Sequence, residues 1–374
     1  MHSLALVLLL AKTETGLVGD PPAVHRQLTA QVAAAYDETR GGFVTKSKAP
    51  VESAVELALQ QAGADKEWLR RAETTLRWTH GLMDTLTGGY IHDANMADGE
   101  SQVGDKRADS NGRRLELLVR AWQLTGNATY RDDAEIVVNW AERVLLDGRG
   151  GFVTAQIGDR ELVPEANGPI IRGWLAYAAA THDSRRKRFA LLSLDRVWEE
   201  HRHEALGLVR RNSMGDIDKE PQLMDQVEMG RAYLHAARLC GRTEDANRAR
   251  ALGDLLLARF QDEKGGFRTQ SMPSKTGTIR KARSVASENA RAVRFLGELS
   301  AMTGDARYRA AAGRATEAFA KSLAKAELDA ADWALAVKAA YDADLPNRAQ
   351  FVAEAEENSE PPRRRVVRFK TGKR

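Results

Sequence analysis

One stretch of this chain limits its fold more than any other, because the chain repeats it. Ser287–Ala312, SENARAVRFLGELSAMTGDARYRAAA, reads as a helix, a tight turn on Thr303-Gly304-Asp305 and the start of a second helix. The same arrangement is spelled again at Asn111–Ala134, and looser copies lie at Asn167–Phe189 and Gln226–Ala249. Counting back fifteen residues from the turn glycines Gly126, Gly241 and Gly304 lands on Asn111, Gln226 and Asn289. His182 holds the turn place in another copy, and the same step gives Asn167. Four carboxamides therefore share one register. Copies start roughly sixty residues apart, the length of two helices, a turn and a long return loop.

The pattern extends through the chain. Apolar periodicity predicts helices over 24–36, 51–61, 66–85, 112–124, 130–145, 168–180, 185–201, 227–239, 243–260, 290–302, 306–324 and 330–341. Ala, Gly and Ser crowd the first helix of each pair, as in Ala176–Ala180 and Ala232–Ala237, which suits an inner helix with close neighbours. Between pairs lie Gly41-Gly42-Phe43, Gly88-Gly89-Tyr90, Gly150-Gly151-Phe152, Gly207-Leu208 and Gly265-Gly266-Phe267. Adjacent glycines allow a sharp reversal, and the aromatic can then pin the return loop to the rim. Six such pairs predict an all-α fold, an (α/α)6 barrel or six-hairpin toroid, with short extended pieces only at the GG-aromatic loops. The helix at 24–36 would wrap round to partner the last inner helix, 330–341. A superhelix of hairpins that stayed open is the competing layout.

Length and charge set outer bounds. The 374 residues carry a net charge of only +4, and much of that excess lies in the terminal PPRRRVVRFKTGKR. A nearly balanced body argues against nucleic acid as a partner. We expect residues 1–22 to be a signal or disordered segment, 23–345 the barrel, and 346–374 a disordered basic tail. Ser3–Ala11 is too short to span a bilayer, lacks a preceding Lys or Arg, and fits an exported or a cytoplasmic chain equally well. No other stretch could cross a membrane. The lone Cys240 leaves no internal disulfide and no cysteine-based zinc site. His201 and His203 lack a third ligand, so no metal site and no cofactor are expected. No phosphate loop, dinucleotide fingerprint or Ser-His-Asp set stands out.

Several motifs together resemble the barrel part of thioredoxin-domain proteins like spermatogenesis-associated protein 20. They are Asp37 with Gly41-Gly42-Phe43 and Lys48-Ala49-Pro50, Asp262 with Gly265-Gly266-Phe267, and Ala286-Ser287-Glu288-Asn289-Ala290. The resemblance runs from about Val24 to Tyr341 and implies a six-hairpin, glycosidase-like toroid, related in fold to glucoamylases, unsaturated glucuronyl hydrolases and sugar 2-epimerases. The departures are large. The thioredoxin domain is missing, and the family's acidic PHFEKMLYDNA helix is here RADSNGRRLELL, Arg107–Leu118. What carries over is fold, and little chemistry.

Inner-helix amino ends would converge on one mouth, where free N–H groups and helix dipoles favour anions and hydroxyls. Two carboxylates are needed for glycoside hydrolysis, and the candidates are Asp109 and Asp225, with Glu165 and Glu288 in reserve. Candidate substrate-binding residues are Asn111, Arg113, Asn167, Gln226, Asn289, His92 and Tyr90. Against these stands a plain structural role, since Asn, Asp and Ser at helix starts are ordinary caps. A sugar epimerase would want a pair of bases, and His235, in the middle of an inner helix, reads as a core histidine. The residues thus suggest a glycoside hydrolase or a sugar isomerase or epimerase acting on a carbohydrate or similar small polar ligand. A noncatalytic sugar- or peptide-binding toroid and a helical scaffold for a protein partner are the alternatives.

Overall fold

The structure is a computed structural model. It describes residues 20–39, 41–45, 50–91, 105–158, 160–211, 214–271 and 284–341. His92 and most of the two termini lie outside them.

The described residues form α1 (Pro21–Ala34), α2 (Glu52–Gln61), α3 (Lys66–His80), α4 (Ala108–Thr125), α5 (Ala128–Val144), α6 (Pro164–Ala180) and α7 (Ser184–His201). A two-residue hairpin, β1 (Arg202–His203) with β2 (Gly207–Leu208), follows. Then come α8 (Leu223–Cys240), α9 (Thr243–Leu255, extended by a π turn through Phe260), α10 (Ala286–Thr303), α11 (Ala306–Ala318), the short α12 (Ala320–Leu323) and α13 (Ala330–Tyr341). Helices α2, α4, α6, α8, α10 and α13 pack in that order, and α13 returns to α2 to close the ring. Outside them sit α3, α5, α7, α9, α11 and, against α13, α1. The fold is an (α/α)6 barrel. The open superhelix is excluded by the closing packing of α13 on α2 and α1.

Residues remote in sequence hold the seam. Val24, Leu28 and Val32 of α1 are fully buried, Gln31 donates to the Leu323 carbonyl at 3.0 Å, and a ring nitrogen of His25 lies 3.0 Å from the Ala334 carbonyl. Within the inner ring glycine sets the spacing. A Cβ on Gly112 would meet the Ile170 backbone nitrogen at 2.3 Å, and one on Gly297 would meet Ala340 at 2.6 Å. The inner helices therefore approach to backbone contact, which the small residues of the repeat permit. At the far end, the inner helices α4, α8 and α10 stop at Gly126, Gly241 and Gly304 with φ near 70°, the left-handed cap that glycine takes without strain. His182 adopts the same region at φ 56°.

Each GG-aromatic unit closes a tight reversal behind an aspartate. Asp37, Asp84, Asp147 and Asp262 each donate their backbone N–H to the second glycine's carbonyl, at 2.8–3.1 Å. Among the described residues no helix is long and apolar enough to cross a membrane.

Candidate functional site

The register carboxamides stand one turn inside their helices, because α4, α6, α8 and α10 each begin four residues earlier than the periodicity predicts. The capping positions are Arg107, Val163, Gln222 and Val285, none of which caps through its side chain. Neighbouring loops take over that role in part. The first helical N–H groups, of Ala108 and Leu223, donate to the carbonyls of Thr154 and Thr269, two residues past the next loop's aromatic.

The carboxamides therefore do something other than cap. Asn111 accepts from the Tyr90 N–H at 2.7 Å and donates to the Tyr90 carbonyl at 2.9 Å and the Arg107 carbonyl at 3.0 Å. Asn167 does the same with Phe152 and Val163, Gln226 with Leu208 and Gln222, and Asn289 with Phe267 and Val285. All four are fully buried, and both amide protons of each go to backbone carbonyls. They splice the return loops to the inner helices. Tyr90 is buried in the same joint, with Arg114 over its ring, and burial raises its hydroxyl pKa.

The four mouth acids sit in the first turns of their helices. Asp109 pairs with Arg107 at 3.2 Å and Arg113 at 3.1 Å. Arg210, beyond β2, bridges Glu165 at 2.7 Å and the fully buried Asp225 at 2.9 Å, and Asp225 also accepts the Glu165 N–H. Burial pushes the Asp225 carboxyl up to about 6 against the pull of Arg210. Glu288 differs from the other three. Its Oε2 is buried without a hydrogen-bond partner, and burial together with Glu165 raises its pKa.

None of these four acids lines the large cavity. That cavity, about 690 Å³, runs along the barrel axis from Glu52, Arg113, Glu228, Arg291 and Asp332 to Gln123, Leu124 and Arg238 near the C-terminal ends of the inner helices. Of the sequence candidates only Arg113 faces it. Among the described residues its wall carries seven arginines and six acids, beside apolar residues such as Val51, Leu117 and Val119. Glu228, 1% exposed, is its hub, accepting from Arg172 at 2.8 Å and Arg113 at 3.2 Å, with Arg291 at 3.6 Å. Burial would raise this carboxyl, but the arginines hold it well below its ordinary value. Arg172 also meets Glu116 at 3.1 Å, while Arg294 joins Glu56 at 2.5 Å and Glu298 at 3.0 Å. Burial would lift Glu56 too, yet Arg294 holds it near 2.

His235 is on this wall, contrary to its reading as a core histidine. Its Nε2 is buried with no hydrogen-bond partner. Burial lowers its pKa to about 4, with Glu116 and Arg172 nearby acting in opposite directions, so the ring is neutral at pH 7.

The wall has a signal in the sequence that went unused. Two, five and nine residues after the register carboxamide come Arg113, Glu116 and Arg120 on α4, then Glu228, Arg231 and His235 on α8, and Arg291, Arg294 and Glu298 on α10. That step is one helical face, and it points inward. Among the described residues no group of three or more His, Cys, Asp or Glu is placed to hold a metal.

No protein-family model matches the sequence, and no curated protein matches it. Solved structures do. A sugar epimerase from a ruminal bacterium superposes with a TM-score of 0.65 at 15% identity, covering 79% of this chain and 86% of its own. A D-mannose isomerase gives 0.61 at 14%, covering 76% and 83%. The GH76 alpha-mannanase of Bacteroides thetaiotaomicron gives 0.62 at 12%, covering 84% and 96%. At such identities the likeness is one of fold, the (α/α)6 barrel.

Proposed function

We propose that this chain is a carbohydrate-active protein whose site is the axial cavity, and that its chemistry is isomerisation of a sugar with His235 as the base. The observation that carries this is the place of His235 on the cavity wall, with a ring that burial keeps neutral at pH 7. A neutral imidazole facing an open-chain sugar can take the proton from the carbon beside the carbonyl. The C–H electrons then form an enediolate, whose charge the neighbouring guanidinium groups offset; the hydroxyl proton passes from the second oxygen to the first, the second oxygen becomes the carbonyl, and His235 returns its proton to the adjacent carbon. One base can serve both steps when the proton stays on one face. Among the described wall residues His235 is the only histidine, which favours aldose–ketose isomerisation over a two-base epimerisation. The fold shared with a D-mannose isomerase and a sugar epimerase supports the reading by analogy alone. The resemblance to the barrel of thioredoxin-domain proteins belongs to the same proposal and adds no reaction to it.

Hydrolysis has less support. It needs one protonated acid and one ionised carboxylate flanking the sugar bond. On the wall burial raises one carboxyl, Asp332, but Glu56, Glu228 and Glu298 are held low and occupied by arginines, and Asp225, with its raised pKa, lies off the wall beneath Arg210. The test is proton exchange at carbon 2 of D-mannose and D-glucose and at carbon 1 of D-fructose in heavy water, followed by NMR. Exchange should occur with at least one of them and vanish in His235→Asn. Exchange that persists in this variant, or none with any sugar, would sink the isomerase reading.

A further inference from the structure

Resting on the reading of the axial cavity as a sugar site, we propose that its ligand is an anionic sugar, carrying one phosphate or carboxylate, whose charged group is held by Arg120, Arg231 and Arg238. Arg231 stands midway along α8, and Arg120 and Arg238 lie nearer the C-terminal ends of their helices. Elsewhere on the wall the charges cancel: Glu228, Glu116 and Glu56 are each met by arginine at 2.5–3.1 Å. Here they do not. The neighbouring acid, Glu298, is shared, accepting from Arg294 at 3.0 Å and from two nitrogens of Arg231 at 3.4 Å, so one carboxylate faces several cations. Arg238 donates to the Glu298 backbone carbonyl at 3.2 Å and to no carboxylate. Arg120 has no hydrogen bond or ion pair with any described residue.

Desolvated cations in excess are costly unless an anion joins them. Burial lowers the pKa of Arg120 and of Arg231, and Arg294 adds repulsion to both. Guanidinium forks match the oxygens of phosphate and carboxylate bidentately, and a site inside the barrel admits a small molecule and not a polymer. His235 lies on α8 between Arg231 and Arg238 and shares the cavity wall with them. A bound anion would also draw the imidazole pKa upward, toward the range where a base works well near neutral pH.

The experiment is calorimetric titration of the full chain with mannose 6-phosphate, glucose 6-phosphate and glucuronate, beside mannose, glucose and inorganic phosphate. An anionic sugar should bind at least about ten-fold more tightly than its neutral counterpart. Arg120→Gln should remove that margin while leaving neutral-sugar affinity within about two-fold, since the wild-type side chain supports no internal partner. The melting temperature without ligand should not fall, and whichever anion wins identifies the charged group. Equal affinity for charged and neutral sugars, or equal losses for both in Arg120→Gln, overturns the inference and leaves the sugar site standing. Binding of inorganic phosphate with no margin among sugars also overturns it. If anionic sugars bind with the margin but carbon 2 does not exchange, the inference holds and the isomerase reading fails.

Discussion

Asn167 shows how a single side chain can be visible in the sequence and still be misread there. Its register with Asn111, Gln226 and Asn289 is plain from counting, but an amide near a helix start looks like a cap. Its work depends on Phe152, fifteen residues back, whose backbone it holds at 2.8 Å in both directions. Asn167→Ala would strand buried groups at both ends of that joint. We expect a loss of about 2–4 kcal/mol in denaturant unfolding, with sugar affinity of the folded protein unchanged. His235 was misread for a related reason, since a helix pattern places it inward without saying whether the inside is packed or hollow. Its pKa falls from 6.5 in the unfolded chain to about 4 in the fold. As pH drops below about 6.5 the unfolded chain takes the proton first. The ring's contribution to stability is therefore complete above 6.5, drains away toward pH 4, and amounts to about 3 kcal/mol. His235→Asn should flatten the stability difference between pH 6.5 and 4 relative to wild type. An unchanged slope would mean the ring is solvated and not buried as described.

At the scale of elements, the repeat was legible because each copy keeps its own period, its small inner face and its turn. Element ends were less so. The inner helices start a turn early because loop carbonyls such as Thr154 and Thr269 satisfy their first N–H groups, leaving no local cap to read. The helix predicted over 66–85 ends at His80, and the one predicted over 306–324 breaks after Ala318, where Phe319 tilts against Trp333 at 5.5 Å. Packing between inner helices rests on glycine. Gly112 faces the Ile170 backbone, which cannot move aside as a side chain could. Gly112→Val should separate α4 from α6 and cost about 3 kcal/mol or more, measured by chemical denaturation. A loss no larger than a surface substitution produces would show that the ring has slack there.

For the whole molecule, closure is the property that matters. α1 lies at one end of the described chain and α13 at the other, and they pack as the sixth pair. Deleting the chain through Tyr36 would expose the face of α13 that covers Val24, Leu28 and Val32 and open the ring. The shortened protein should lose its single cooperative unfolding transition, seen by calorimetry, and bind hydrophobic dye. A sharp transition near the wild-type temperature would instead show that five pairs suffice.

The sequence by itself determined the six helix pairs: a repeat with small inner faces and pinned return loops can bury its apolar stripes only by stacking, while closure over an open superhelix was decided by the packing of α13 on α1 and α2. It also placed the candidate acids at the amino ends of the inner helices and the carboxamides in one register. Only the tertiary structure decided where a ligand could sit. The mouth residues met arginines and backbone groups from distant loops, such as Arg210 for Glu165 and Asp225, while the inward step of two, five and nine residues opened onto a charged axial cavity. Whether a polar side chain is spent or available depends on partners brought from other repeats, and local periodicity carries no information about them.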